Sequence, residues 1–240
     1  MNKRLRVFAG PNGSGKTTII RSLQSEIGFG VYVNADDIEK QLNKTKLLLF
    51  ENYQLNIDDE KLKLFLKNSQ FSPIKRNEPN LWEKLEVKDN ILYVQTNVDS
   101  YLSADLADFI RQQLLHNSIS FTYETVMSHE SKISFLKEAK LNGFRIYLYF
   151  IATEDFEINI NRVKIRVSQA GHDVNEESVK KRYFKSLLQL KKAVQISNRA
   201  YIFDNSGEAS LLIAEITDGN EVNLLSPEKV PNWFVEYLIK

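Results

Sequence analysis

Eight consecutive residues, Gly10-Pro11-Asn12-Gly13-Ser14-Gly15-Lys16-Thr17, combine three glycines with one cation and two hydroxyls. So few side chains make a loop that presents main chain. The glycines let the backbone curl until several N–H groups point into one concavity. A helix starting behind the loop adds its own N-terminal N–H groups and dipole. Lys16 supplies a point charge toward β- and γ-phosphates, and Thr17 a hydroxyl for Mg²⁺, whose other ligands are mostly water and phosphate oxygens. The spacing fits G-x-x-x-x-G-K-[ST] in full, with an apolar strand before it and a helix after it. Gly10 to Thr17, with Thr18, are therefore expected to hold a nucleoside triphosphate, and Thr17 the metal. Near the ends of the late strands there is no Asn/Thr-Lys-x-Asp guanine reader, which disfavours GTP. The Leu-Ser-Gly-Gly signature of transporter-type ATPases is also missing from the sequence.

Three further groups of residues have the right chemistry. Asp36 and Asp37 lie just past a short strand, where ligands gather in parallel sheets. A carboxylate there can accept the proton of an attacking hydroxyl or hold Mg²⁺ through water. Asp36, nearest the strand end, is taken as the base. Asp37 also suits simple helix capping; it is placed with the substrate and is the alternative base. Glu124 and Thr125 end another strand and should face the same crevice, to bind an acceptor's hydroxyls or metal-bound water. Between Asn161 and Lys192 stand nine Lys/Arg against three acidic residues. Arg162 and Arg166, four apart, share a helix face, and their planar guanidinium groups suit phosphate oxygens. Both are candidates to stabilise a transferring phosphoryl group, and Arg182 to reach the nucleotide from the next helix. Lys164, Lys180, Lys181, Lys191 and Lys192 read as a solvated face. His129 reads as a surface residue or the neighbour of a helix cap rather than a ligand.

These residues need elements to position them. Apolar runs place five core strands at about 5–9, 31–33, 120–123, 145–151 and 199–204. Helices are expected at Thr17–Glu26, after an Asn34 cap, at about 100–117 with Ser100 or Ser103 as cap, and from Ser131 to a Gly143 stop. Two more follow, one stopped at Gly171 and one strongly basic. A final hairpin turns at Asp218-Gly219-Asn220, and 231–240 forms a closing helix. The strand–helix alternation implies an α/β fold: a parallel five-stranded sheet with helices on both faces. Residues 45 to 98 break the pattern as an insertion of about 55 residues, too apolar for a disordered linker. They are expected to cap the core, with a short strand near Ile91–Gln95. The whole, 1–240, reads as a single domain with that insertion.

Composition removes other classes. There are no cysteines, so disulfides, thiolate metal sites and a Cys nucleophile are excluded. Three scattered histidines do not suggest a His-based metal centre. No run approaches the ~18 apolar residues of a membrane span, and the N-terminal apolar stretch is too short for a signal segment. A cytoplasmic chain without membrane contact is expected. Net charge is +1, so any basic site is local.

"VFAGPNGSGKTT", "VYVNADDI", "FTYETVMS", "RIYLYFIATED", "INRVKIRVSQAGHDV" and "RAYIFDNSG" together resemble the zeta toxin family of P-loop kinases. The resemblance covers roughly residues 5–40 and 100–206. It implies a P-loop kinase-like fold, ATP with Mg²⁺ as cofactors, and phosphorylation of a hydroxyl on a small-molecule acceptor. That acceptor would be a nucleotide sugar such as UDP-N-acetylglucosamine, and an antitoxin protein a partner. By resemblance Lys16 and Thr17 belong to the phosphate loop, Asp36 is the general base, Glu124 lies in the acceptor site, and Arg162 and Arg166 are lid arginines. Two other readings stay open. One is a polynucleotide-end kinase, favoured by the basic arm but opposed by the near-zero net charge and the lack of an aromatic–basic stripe. The other is a nucleotide-gated binding protein with slow ATP hydrolysis.

Overall fold

A computed structural model describes residues 3–69, 76, 78–168 and 175–240. The stop expected at Gly171 lies outside them, as does part of the 45–98 insertion. The chain forms two compact units, Met1–Phe29 with Thr122–Lys240, and Gly30–Phe121.

The first unit is built around two strands that bury nearly every residue. β1 (Arg4–Ala9) has only Arg4 exposed, and β7 (Arg145–Ala152) only Arg145. Such continuous burial is what a parallel strand covered on both faces requires. β1 and β7 run parallel, with Val7 opposite Leu148, and β7 runs parallel to β8 (Arg199–Asp204), with Leu148 opposite Ala200. β6 (Phe121–Thr125) flanks β1 on the other side. The same register aligns Phe8, Tyr149 and Tyr201 on one face, and their rings stack at 4.4 Å and 4.9 Å between centroids. The helices of this unit are α1 (Lys16–Leu23), α5 (Glu130–Leu141), α6 (Phe156–Ser168), α7 (Glu176–Ile196) and α8 (Asn232–Phe234), the last continuing as a wider helical turn to Ile239. α5 and α6 both pack on α7. His129, expected beside the α5 cap, is the cap itself and accepts from the Ser131 N–H.

The expected final hairpin is present as β9 (Leu211–Thr217) and β10 (Glu221–Leu224), but it is not separate from the sheet. β9 pairs antiparallel with β8, Ile202 opposite Ala214, and β10 pairs antiparallel with β9. The sheet is therefore mostly parallel with an antiparallel edge, and the count of five parallel strands left this edge out. Every residue of β10 is exposed, as a sheet's last strand can be.

The second unit holds β2 (Val31–Val33), whose Val31 N–H donates to the Ser120 carbonyl at 3.2 Å, and α2 (Ala35–Thr45). The Asn34 side chain caps α2, as expected, accepting from the N–H groups of Asp36 and Asp37. α4 (Ser100–His116) is capped by Asp99 rather than Ser100 or Ser103: its carboxylate accepts from the Leu102 N–H, and Ser103 already lies in the first turn. The insertion contributes α3 (Asp59–Asn68) and an antiparallel sheet of β3 (Leu47–Leu49), β5 (Ile91–Val94) and β4 (Leu85–Lys88), with β5 central. Leu48, Leu92 and Val94 are buried in it, and β3 and α3 pack on α2 and α4.

Candidate active site

β1 delivers the chain into the glycine loop at a fixed point, because the Gly10 N–H donates to the Thr125 carbonyl at 3.3 Å. Gly10, Gly13 and Gly15 have φ values of 142°, 75° and 93°, a region that L side chains rarely enter. Space is equally restrictive. A Cβ on Gly10 would stand 1.9 Å from the Ile151 carbonyl oxygen, and one on Gly13 2.5 Å from that of Asn159.

The loop's carbonyls are held from outside. Lys16 folds back, and its ammonium donates to Gly10 O at 2.8 Å and Pro11 O at 2.9 Å. Asn159, at the start of α6, donates from Nδ2 to Asn12 O at 2.6 Å. Asn205, just past β8, donates from Nδ2 to Ser14 O at 2.8 Å. Among the described residues, the N–H groups of Gly13, Gly15 and Thr17 have no protein acceptor. Gly15 caps α1 without a side-chain bond, so the helix start is likewise left for a ligand. Donors without acceptors, on a curl that only glycine permits, suit the phosphates of a nucleotide.

Thr17 and Glu124 come together at 3.5 Å, hydroxyl to carboxylate. Both offer hard oxygen, the donor type Mg²⁺ takes. Among the described residues no three His, Cys, Asp or Glu cluster as a metal cage. Thr125 is buried, and its hydroxyl accepts from the Met127 N–H at 3.0 Å, so it shapes the exit of β6. Thr18 is exposed in the first turn of α1.

Arg162 is half-buried, and its recorded bonds go to main chain: Nη1 to Asn205 O at 2.7 Å and Nη2 to Gly207 O at 3.3 Å. Arg166 and Arg182 are exposed on α6 and α7. Lys164 pairs with Glu176 at the surface, consistent with a solvated face. Asp36 and Asp37 lie in the second unit, exposed in the first turn of α2. There Tyr53 is pushed up to about 12, mainly by burial and further by the Asp37 charge. In the first unit, burial and then Asp155 and Glu154 raise Tyr183 well above the ordinary tyrosine range, and its hydroxyl donates to Thr153 O at 2.7 Å.

Sequence reasoning missed Asn159 and Asn205. An asparagine in a helix and another after a strand look like solvent or turn residues. The available signal was the loop itself, whose outward carbonyls need donors from somewhere.

The sequence profile of the zeta toxin family matches residues 76–217. An uncharacterized protein of Haemophilus influenzae is 43% identical over 65 residues, 27% of this chain and 46% of that protein. The crystal structure of AvrRxo1-ORF1:-ORF2 with ATP superposes with a TM-score of 0.56 at 15% identity, over 95% of this chain and 62% of that one. A structure from the PezAT chromosomal toxin–antitoxin system of Streptococcus pneumoniae gives a TM-score of 0.52 at 13% identity, over 99% of this chain and 79% of that one. The chain thus spans less than two thirds of the Haemophilus and AvrRxo1 proteins. Among the described residues no helix is long and apolar enough to cross a membrane.

Proposed function

The chain belongs to the zeta toxin family, and on that premise we propose that it is an ATP-dependent kinase acting on a hydroxyl of a small molecule, a nucleotide sugar such as UDP-N-acetylglucosamine. The observation that supports this most directly is the glycine loop, with its acceptorless N–H groups and Lys16 at its mouth. In this reading the loop holds the β- and γ-phosphates. Thr17 and Glu124 would hold Mg²⁺, which would compensate charge on the phosphate oxygens. The acceptor's oxygen forms a bond to the γ-phosphorus, the bond to the β–γ bridging oxygen breaks, and ADP leaves. Asp36 takes the hydroxyl proton. Lys16 and Arg166 offset charge on the transferring group, and Arg182 is a further nucleotide contact. Asp37 and Thr125 remain on the acceptor side of the proposal.

An antitoxin partner is also proposed, because the PezAT neighbour comes from a toxin–antitoxin system. The test is to incubate the protein with Mg-ATP and a metabolite extract, UDP-N-acetylglucosamine included, and search by mass spectrometry for the gain of one phosphoryl group. The Lys16→Ala variant should yield none. A wild-type protein that binds Mg-ATP yet phosphorylates nothing would leave only a nucleotide-binding protein.

A further inference from the structure

A trans peptide is planar, so the carbonyl of one residue and the N–H of the next point in opposite directions. Whatever holds a loop carbonyl outward therefore also aims the following N–H. Asn159 Nδ2 holds the Asn12 carbonyl, which turns the Gly13 N–H to the opposite side. Asn205 Nδ2 holds the Ser14 carbonyl, which does the same for the Gly15 N–H. Among the described residues neither of these two N–H groups has a protein acceptor. We propose that Asn159 and Asn205 are positioning residues, each setting one phosphate-binding peptide: Asn159 that of Gly13, and Asn205 that of Gly15. The proposal rests on the loop being a phosphate site.

Both side chains are themselves fixed. Asn159 is fully buried, and the Thr153 hydroxyl donates to its Oδ1. The oxygen of that amide is therefore committed, and its NH₂ must face the loop. Tyr183 anchors Thr153 in turn, donating to its carbonyl at 2.7 Å. Asn205 is held by its own main chain: its N–H donates to Ala152 O at 2.8 Å and its carbonyl accepts from Arg162. Arg162, expected from its charge to touch phosphate, thus serves the loop through Asn205. The loop also packs against its fasteners. A Cβ on Gly15 would lie 2.0 Å from Asn205 Nδ2, so glycine is needed there for the fastener as well as for φ. Without the amides, either peptide can rotate and present a carbonyl oxygen to a phosphate oxygen, a repulsive contact in place of a hydrogen bond.

The test uses the full chain, ¹⁵N-labelled, titrated with Mg-ATP and with Mg-tripolyphosphate, a probe that has neither base nor sugar. In the wild type, the amide protons of Gly13 and Gly15 should both shift downfield on binding. In Asn205→Asp, which keeps the shape but loses the donor, the Gly15 shift should vanish and the Gly13 shift persist. In Asn159→Ala the pattern should reverse. Dissociation constants for both probes should rise about tenfold or more, as expected for one charge-assisted hydrogen bond. Asn205 is half-buried, so its variant decides the matter even if Asn159→Ala does not fold. Affinity within twofold of wild type in Asn205→Asp overturns the proposal. So does loss of both shifts together in that variant, since that would mean a general loosening. A wild type that binds neither probe overturns the phosphate-loop reading, and this inference with it.

Discussion

Gly10→Ala tests whether the loop's geometry is dictated by glycine. The new Cβ would sit 1.9 Å from the Ile151 carbonyl oxygen at a φ of 142°. The dihedral alone costs about 1–3 kcal/mol for a residue with a side chain. The overlap is with main chain on β7, where Ile151 is buried opposite Phe203 of β8, and no rotamer relieves it. If the strand yields, a ladder bond breaks and leaves a buried group unsatisfied, for about 1–3 kcal/mol more. If the loop yields instead, the bond from Gly10 N–H to Thr125 O is lost and the N–H groups beyond it are displaced. The expected sum is about 2–6 kcal/mol, divided between stability and nucleotide affinity, against the ~5–15 kcal/mol that usually holds a domain together. Urea unfolding gives the first part and calorimetric titration with Mg-ATP the second, where each 1.4 kcal/mol is tenfold in the dissociation constant. A combined loss below about 1 kcal/mol would refute the argument, because it would mean the loop relaxes around a side chain at no cost.

Two further outcomes are expected. Asp36→Ala should lower turnover by about two to four decades while leaving Mg-ATP affinity within a few-fold, as measured by steady-state kinetics beside calorimetry. Unchanged turnover moves the role to Asp37, tested the same way. Tyr53 and Tyr149, both pushed up to about 12, keep their protons longer in the folded chain than unfolded. Their contribution to stability is complete below the unfolded value near pH ~10 and is lost as pH rises toward about 12. Phenolate absorbance should therefore climb together with loss of structure in that window; full ionisation with the fold intact would contradict it.

Much of the fold could be read in advance because its signals are local. The loop announces itself by glycine spacing, and β1 and β7 by apolar runs that match their burial. Asn34 is legible as a cap because its own side chain does the capping. Asp99 was not, since Ser100 and Ser103 fit the same pattern and only the helix start decides between them. β3 and β4 escaped notice because each is short and gains its identity by pairing, Leu48 and Val87 both lying opposite Leu92. The site shows the same division. Lys16 and Thr17 follow from the loop itself. Charge alone marks Arg162 as a phosphate contact, yet its partners are carbonyls more than forty residues away in sequence. Asn159 and Asn205 become meaningful only when helix, strand end and loop meet in space.

Asn159 and Arg162 stand three residues apart, one turn of α6, and that turn is bolted at both corners, to Asn12 on one side and to Asn205 and Gly207 on the other. Farther along, Val163 and Val167 pack with Val179 of α7, so the helix is braced along its length and the cradle's backing does not hang on the two asparagines alone.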